Sequence, residues 1–431
     1  MFARAAGIYI WDVDGKRYID GSSGPMASNI GHCNPQVIAA MKRQLDQGAF
    51  AYRLHFENEP AEQLAVRIAE LAIGDLTHSF FVSGGSESVE SAIKLARQYA
   101  IAIGQEKRWK VIGRSPGYHG TTFGALAVTD YDPLVKPFAP MLRQMPKIAA
   151  PTCYLDRDNL SMAERGLRYA NLLEQEIEKQ GPDTVLAFIM EPVGGASTGA
   201  LVAPDSYYPR IREICDHYNV LLIFDEVMSG AGRTGAFLAA EHWQVVPDIV
   251  AMSKGFGAGY CPFGVMVAPQ RLIKPVLQTG GFQHGFTYAG NPLACATALA
   301  VLDELQRLDL FKQAQVNGEY LLNGLRDLQA RFPFIGDVRG KGLLTAFELV
   351  QDTDTMQAFP AAMNVHQRIV DLAYQRGLVV YSRRSRGGNS GDHVLVCPPL
   401  ITTQPQLDEI VSLLDDSLTA FALSAGLPIS E

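Results

Sequence analysis

The feature that most narrows what this chain can fold into is an alternation through its middle. Short apolar runs at 79–82, 110–113, 185–190, 220–224, 248–252 and 263–267 are separated by longer stretches, and several of these, such as 89–100 and 207–217, have helical apolar spacing. Continuously apolar strands interleaved with amphipathic helices are the pattern of a mainly parallel sheet buried on both faces. The expected fold class is therefore α/β, a large domain with a mainly parallel sheet sandwiched by helices, plus a smaller α+β domain.

The two ends of the chain read differently from its middle. At the N-terminus, Tyr9-Ile10-Trp11 and Arg17-Tyr18-Ile19 flank Asp14-Gly15, which predicts a hairpin. A Gly- and Ser-containing loop at 21–32 comes next, then helical spacing over 35–47 and 59–71. Helical spacing over 291–305 reads as a long helix leaving the large domain. The last third mixes strand-like 342–349, 378–381 and 393–396 with helices at 363–375 and 404–423. The expected division is 1–45 as the N-terminal part of the small domain, 46–305 as the large domain, and 306–431 as the C-terminal α+β small domain. The segment 383–391, Arg-Arg-Ser-Arg-Gly-Gly-Asn-Ser-Gly, reads as a mobile loop. The chain opens abruptly in strand-like material, so a preceding segment is expected.

Composition excludes several classes of partner. A net charge of −8 argues against nucleic acid and against an anionic membrane. No apolar run approaches the length of a membrane span, and none near the N-terminus has the form of a signal peptide. The six cysteines are scattered without a CxxC, which suits reduced thiols in the cytoplasm better than a disulfide framework. The nine histidines show neither HxxxH nor HExxH spacing, so no metal is expected.

The chemistry lies in motifs that follow one another along the chain. Ser83-Gly84-Gly85-Ser86-Glu87 takes a strand through a glycine turn into a helix, where free N–H groups attract phosphate; a plain helix cap would use the same residues. Tyr118-His119-Gly120 offers a ring to stack on a flat cofactor, or a loop aromatic partly buried for packing alone. Asp225, in Phe224-Asp225-Glu226-Val227, stands at the carboxyl end of a buried strand, where α/β sheets bind ligands. It suits a protonated pyridine nitrogen, a helix cap or a metal. Lys254, in Met252-Ser253-Lys254-Gly255, follows another strand. It reads either as a desolvated Schiff-base nucleophile or as an exposed loop lysine. Thr287, before Gly290-Asn291-Pro292, is a second hydroxyl near a helix entry.

Taken together and in order, these motifs resemble the class III aminotransferases of the pyridoxal-phosphate fold-type I superfamily, over nearly the whole chain. Glu191-Pro192, Gly232-Arg233-Thr234-Gly235, Val338-Arg339-Gly340-Lys341-Gly342 and Cys397-Pro398-Pro399-Leu400 match further landmarks. The resemblance implies pyridoxal 5'-phosphate held on Lys254, with Asp225 keeping the pyridine nitrogen protonated. It implies Tyr118 and Val227 on opposite ring faces, Gly85 and Ser86 at the phosphate, and His119 and Glu191 among the cofactor contacts. Thr287 would reach the phosphate of a neighbouring subunit, making the enzyme a homodimer with its active site at the interface, with a tetramer left open. Arg233 reads as structural.

The implied reaction is transfer of an amino group from an amine or ω-amino acid to a keto acid such as pyruvate. An amino-acid racemase or epimerase of the same family is the alternative. Relatives that grip the substrate carboxylate directly carry an Arg before the Pro-Pro landmark, where this chain has Leu395. Members of the ω-amino acid and amine:pyruvate type use a mobile loop Arg instead, which nominates Arg383, Arg384 and Arg386, with Glu191 as a resting partner. Met26, Phe50 and Tyr52 are candidates to line an apolar pocket, with core packing the other reading of each.

Overall fold

The computed structural model describes residues 1–430. It is built on a seven-stranded sheet flanked by two four-stranded ones. The large sheet runs Leu76–Val82, Gly264–Pro269, Ile249–Met252, Leu221–Asp225, Val185–Met190, Lys110–Ser115, Lys147–Ala149. Gly264–Pro269 is antiparallel to both of its neighbours and every other pairing is parallel. The strand periodicity of two sorts the apolar residues into two cores. Phe188, Met190, Leu222, Phe224, Val250 and Met252 enter one, while Ile189, Ile223, Ile249 and Ala251 enter the other. The second core is closed by the helix Gly85–Ala102 through Val89, Leu95 and Ala96. The first is closed by Met162–Gln180 and Tyr207–Tyr218. Burial on both faces is why these strands read as uninterrupted apolar runs.

The N-terminal hairpin forms as expected, with Tyr9–Asp12 antiparallel to Arg17–Asp20. Its sheet also takes Leu378–Val379, parallel to Arg17–Asp20, so the two chain ends meet in one sheet. The remaining sheet is antiparallel and runs Ile335–Lys341, Leu344–Leu349, Asp392–Val396, Tyr381–Arg383. The expected strand over 378–381 therefore divides at Val380, its halves joining different sheets. The expected strand over 342–349 is the second arm of a hairpin turning at Gly342, where φ is +56° and a Cβ would meet the backbone of Thr234.

The helices Met162–Gln180 and Leu310–Arg331 were not anticipated. The first buries Gly166, Ala170, Leu173 and Ile177, a stripe half made of small residues and thus weak in hydropathy. The second carries Asn317-Gly318 at mid-length, normally a break signal; Gly318 is there because Gly342 packs directly against it. The segment 383–391, expected to be mobile, is tied at several points. Arg386 N donates to Ser390 O, Asp132 N donates to Gly387 O, and Ser385 Oγ bonds Glu348. No helix among the described residues is long and apolar enough to cross a membrane.

Candidate active site

Neighbouring parallel strands deliver polar residues side by side at their carboxyl ends. Glu191 follows Val185–Met190, Asp225 ends Leu221–Asp225, and Lys254 lies just past Ile249–Met252. Ligands of open α/β sheets bind at such an edge. Lys254 holds a left-handed backbone at φ +38°. Burial lowers its amine from 10.5 to about 8, against the opposing pull of Asp225 and Glu191. Asp225 Oδ2 lies 2.8 Å from His119 Nδ1, and Oδ1 accepts from Val227 N at 3.1 Å. His119 is itself fixed, since its backbone N donates to Thr129 Oγ1 at 2.9 Å. The buried His119 Nε2 has no protein partner among the described residues. Glu191 accepts from Gly195 N at 2.7 Å, and burial raises its carboxyl above the usual range.

A second wall comes from the turn before the helix Gly85–Ala102. Ser86 Oγ accepts from Thr121 N at 3.1 Å, which joins this turn to the Tyr118-His119-Gly120 loop. The approach is close enough to demand glycine. A Cβ on Gly85 would sit 2.9 Å from Val227 Cγ1, and one on Gly120 would sit 2.5 Å from Ser86 Oγ at φ +128°. Gly85, Ser86, Tyr118, His119, Glu191, Asp225, Val227 and Lys254 all line one cavity of about 390 Å³.

The outer part of that cavity is mostly apolar. Met26 lines it, together with Pro25, Ala196, Met228 and Leu134. Tyr131, Tyr381 and Ser197 complete it, and these sequence reasoning missed. Tyr131 and Ser197 sit in loops without a motif, and Tyr381 reads from sequence only as a strand residue. Among the described residues Arg383 is the one guanidinium on the cavity, with its Cζ 4.7 Å from the centroid of the Tyr381 ring.

Five candidates, Arg384, Arg386, Phe50, Tyr52 and Thr287, are not in this cavity. Arg384 turns away to Ala361 O and Asn364 Oδ1, and Arg386 donates to Met356 O, because successive residues of the strand end alternate in direction and the turn beyond it folds back. Phe50 and Tyr52 lie on an outlying segment and are 48% and 36% exposed; Phe50 packs edge-on against Tyr288 at 5.7 Å. The Glu191 carboxylate is held by the backbone N–H groups of Tyr118 and Gly195, while Arg114 donates only to its backbone carbonyl. Thr287 is exposed and off the cavity of its own chain. Leu395 is fully buried, packed with Met26 and Ala346.

The chain matches the sequence profile of the family "Aminotransferase class-III" over residues 1–418. The chain belongs to the class III aminotransferases. It is 39% identical over 419 residues to the uncharacterized aminotransferase YodT of Bacillus subtilis, spanning 96% of this chain and 94% of that one. It is 33% identical to a putrescine–pyruvate aminotransferase of Pseudomonas aeruginosa, spanning 96% and 89%. A thermostable (S)-enantioselective omega-transaminase from Thermomicrobium roseum superposes with a TM-score of 0.92 at 36% identity, covering 97% of this chain and 92% of that one. This class III aminotransferase is thus an α/β enzyme of pyridoxal-phosphate fold type I that acts on an amine or amino acid and a keto acid.

Its cofactor is pyridoxal 5'-phosphate, and the residues present fit that group. The fit is a buried primary amine of lowered basicity, a carboxylate backed by a fixed imidazole, and glycines that leave room between Val227 and the helix entry. Arg233 supports the lysine loop from behind. It is fully buried and donates to Leu343 O, Pro398 O, Ser23 Oγ and Asn29 Oδ1, and Asn29 packs against Gly255.

Proposed function

We propose that this enzyme moves an amino group from an amine or ω-amino acid to pyruvate. The observation that carries this reading is the cavity itself, with Pro25, Met26, Leu134, Ala196 and Met228 on its wall, Leu395 buried in the cluster behind Met26, and Arg383 its one guanidinium among the described residues. Such a pocket accepts an uncharged amine side chain, yet offers one guanidinium to a carboxylate. The putrescine–pyruvate and taurine–pyruvate aminotransferases among its relatives support the choice of acceptor.

In this reading Lys254 holds the cofactor covalently through Nζ. Asp225, held in place by His119, would pair with the ring nitrogen and favour its protonated form. Gly85 and Ser86 would hold the phosphate, and Tyr118 and Val227 would confine the ring. The bound cofactor supplies an electron sink for the carbon that bears the amine. Lys254 Nζ would move the proton at that carbon, and its lowered basicity suits a group that must both accept and release one near neutral pH.

The same reading places Thr287 at the phosphate of a second copy, in a homodimer with the exposed Phe50, Tyr52 and Tyr288 covered by the partner. The division of the chain into 1–45 and 306–431 around 46–305 draws support from the sheet that joins Arg17–Asp20 to Leu378–Val379. The free cysteines support a cytoplasmic site. The test is a donor screen with pyruvate as acceptor, following alanine formation. Conversion of apolar amines and ω-amino acids is expected, and strict dependence on 2-oxoglutarate would overturn the assignment.

A further inference from the structure

Ser197 is a buried hydroxyl on the cavity wall that nothing in the protein uses. Its residue is 3% exposed, it lines the cavity, and Oγ has no hydrogen-bond partner among the described residues. The other two serine hydroxyls of the cavity are engaged: Ser86 Oγ accepts from Thr121 N, and Ser253 Oγ donates to Phe263 O. A hydroxyl removed from water without a partner is unfavourable, so one kept at a cavity wall points to a partner that arrives with the ligand.

The loop around it is fixed from two sides. Thr198 N and Gly199 N both donate to Gly195 O, and Gly194 N donates to Leu201 O. From the small antiparallel sheet, Arg339 donates to Thr198 O at 2.9 Å and to Gly199 O at 2.6 Å. Arg339 is itself held by Glu348 at 2.7 Å and Asp337 at 2.9 Å. The hydroxyl is therefore preorganised on a backbone that does not have to rearrange.

We propose that Ser197 is a specificity-determining residue, its hydroxyl donating to the carboxylate of the keto acid beside Arg383. The proposal rests on the reading that the acceptor is a small keto acid. Leu395 leaves that carboxylate one cation, and a guanidinium alone leaves part of its acceptor capacity unfilled. Ser197 supplies a second, fixed donor on the same cavity. An apolar amine has no group to use it.

The experiment compares the parent enzyme with Ser197→Ala and Ser197→Gly, taking each half-reaction alone by the change in cofactor absorbance. With pyruvate, the concentration giving half-maximal rate should rise about 10-fold, the effect of losing a hydrogen bond to a charged group. The inhibition constant of propionate, a carboxylate that cannot react, should rise in parallel. The rate with benzylamine should change by less than about 2-fold, and the melting temperature should not fall, since no bond inside the protein is lost. Unchanged pyruvate and propionate binding would overturn the proposal. So would a fall in melting temperature with equal losses in both half-reactions, which is the mark of a structural hydroxyl. A parent that accepts amino groups from benzylamine but passes them to no small keto acid would overturn the acceptor reading, and this proposal with it.

Discussion

Lys254 offers a quantitative check on how the fold prepares the site. An amine attacks a carbonyl only as the neutral base. At pH 7 an amine with a pKa of about 8 is neutral in about one molecule in ten, whereas at the ordinary lysine value roughly one in three thousand is neutral. Burial thus raises the reactive fraction about 300-fold, part of which is offset because a weaker base is a weaker nucleophile. The sign is fixed by the group: the neutral form gains as pH rises. Capture of pyridoxal phosphate by the apoenzyme, followed by visible absorbance from about pH 6 to about pH 10, should slow as pH falls through 8 and level off above it. Asp225 favours the ammonium, so Asp225→Asn should move the midpoint to lower pH. The same variant should still bind the cofactor yet slow the half-reaction by several orders of magnitude, on the order of losing a key electrostatic partner. A midpoint at or above 10, or an upward shift in Asp225→Asn, would refute the reasoning.

Further outcomes follow from the same geometry. Borohydride reduction of the holoenzyme should abolish the visible band and leave the pyridoxyl label on Lys254 in a peptide map; label on another lysine contradicts the assignment. Arg383→Ala should raise the Michaelis constant for pyruvate about tenfold, while Arg384→Ala and Arg386→Ala, whose guanidinium groups face away from the cavity, should leave it near the parent value. Arg233→Met removes charged hydrogen bonds to four acceptors, each contributing roughly 1.5–3 kcal/mol. Burial that lowers the guanidinium from 12.5 to about 10 offsets about 3 kcal/mol of this, so a net loss of about 3 kcal/mol or more should appear as a lower urea midpoint. If Thr287 completes a partner's site, dilution to monomers in the ultracentrifuge should release cofactor, and a monomer that keeps it would exclude the shared site.

The sequence by itself determined the large sheet and the reacting end of the cavity. Strands buried on both faces are apolar throughout, and a residue just past such a strand must sit at the sheet's carboxyl edge, so the places of Lys254 and Asp225 at that edge were legible from position, while Glu191 was named through the resemblance to a family landmark. Glycines forced by close approach, such as Gly85 and Gly120, carried the same information. What only the tertiary structure decided is the outer cavity. Met26, Tyr131, Ser197 and Arg383 come from distant stretches and meet there without any shared local pattern. Residues adjacent in sequence were also separated by the fold: Arg383 faces the cavity while Arg384 and Arg386 reach backbone carbonyls elsewhere, and Leu378–Val379 and Tyr381–Arg383 enter different sheets across Val380. Local periodicity specifies which face of an element is buried, but which neighbour covers that face is set by long-range packing, and the part of the cavity lined by Met26, Tyr131, Ser197 and Arg383 is made of such contacts.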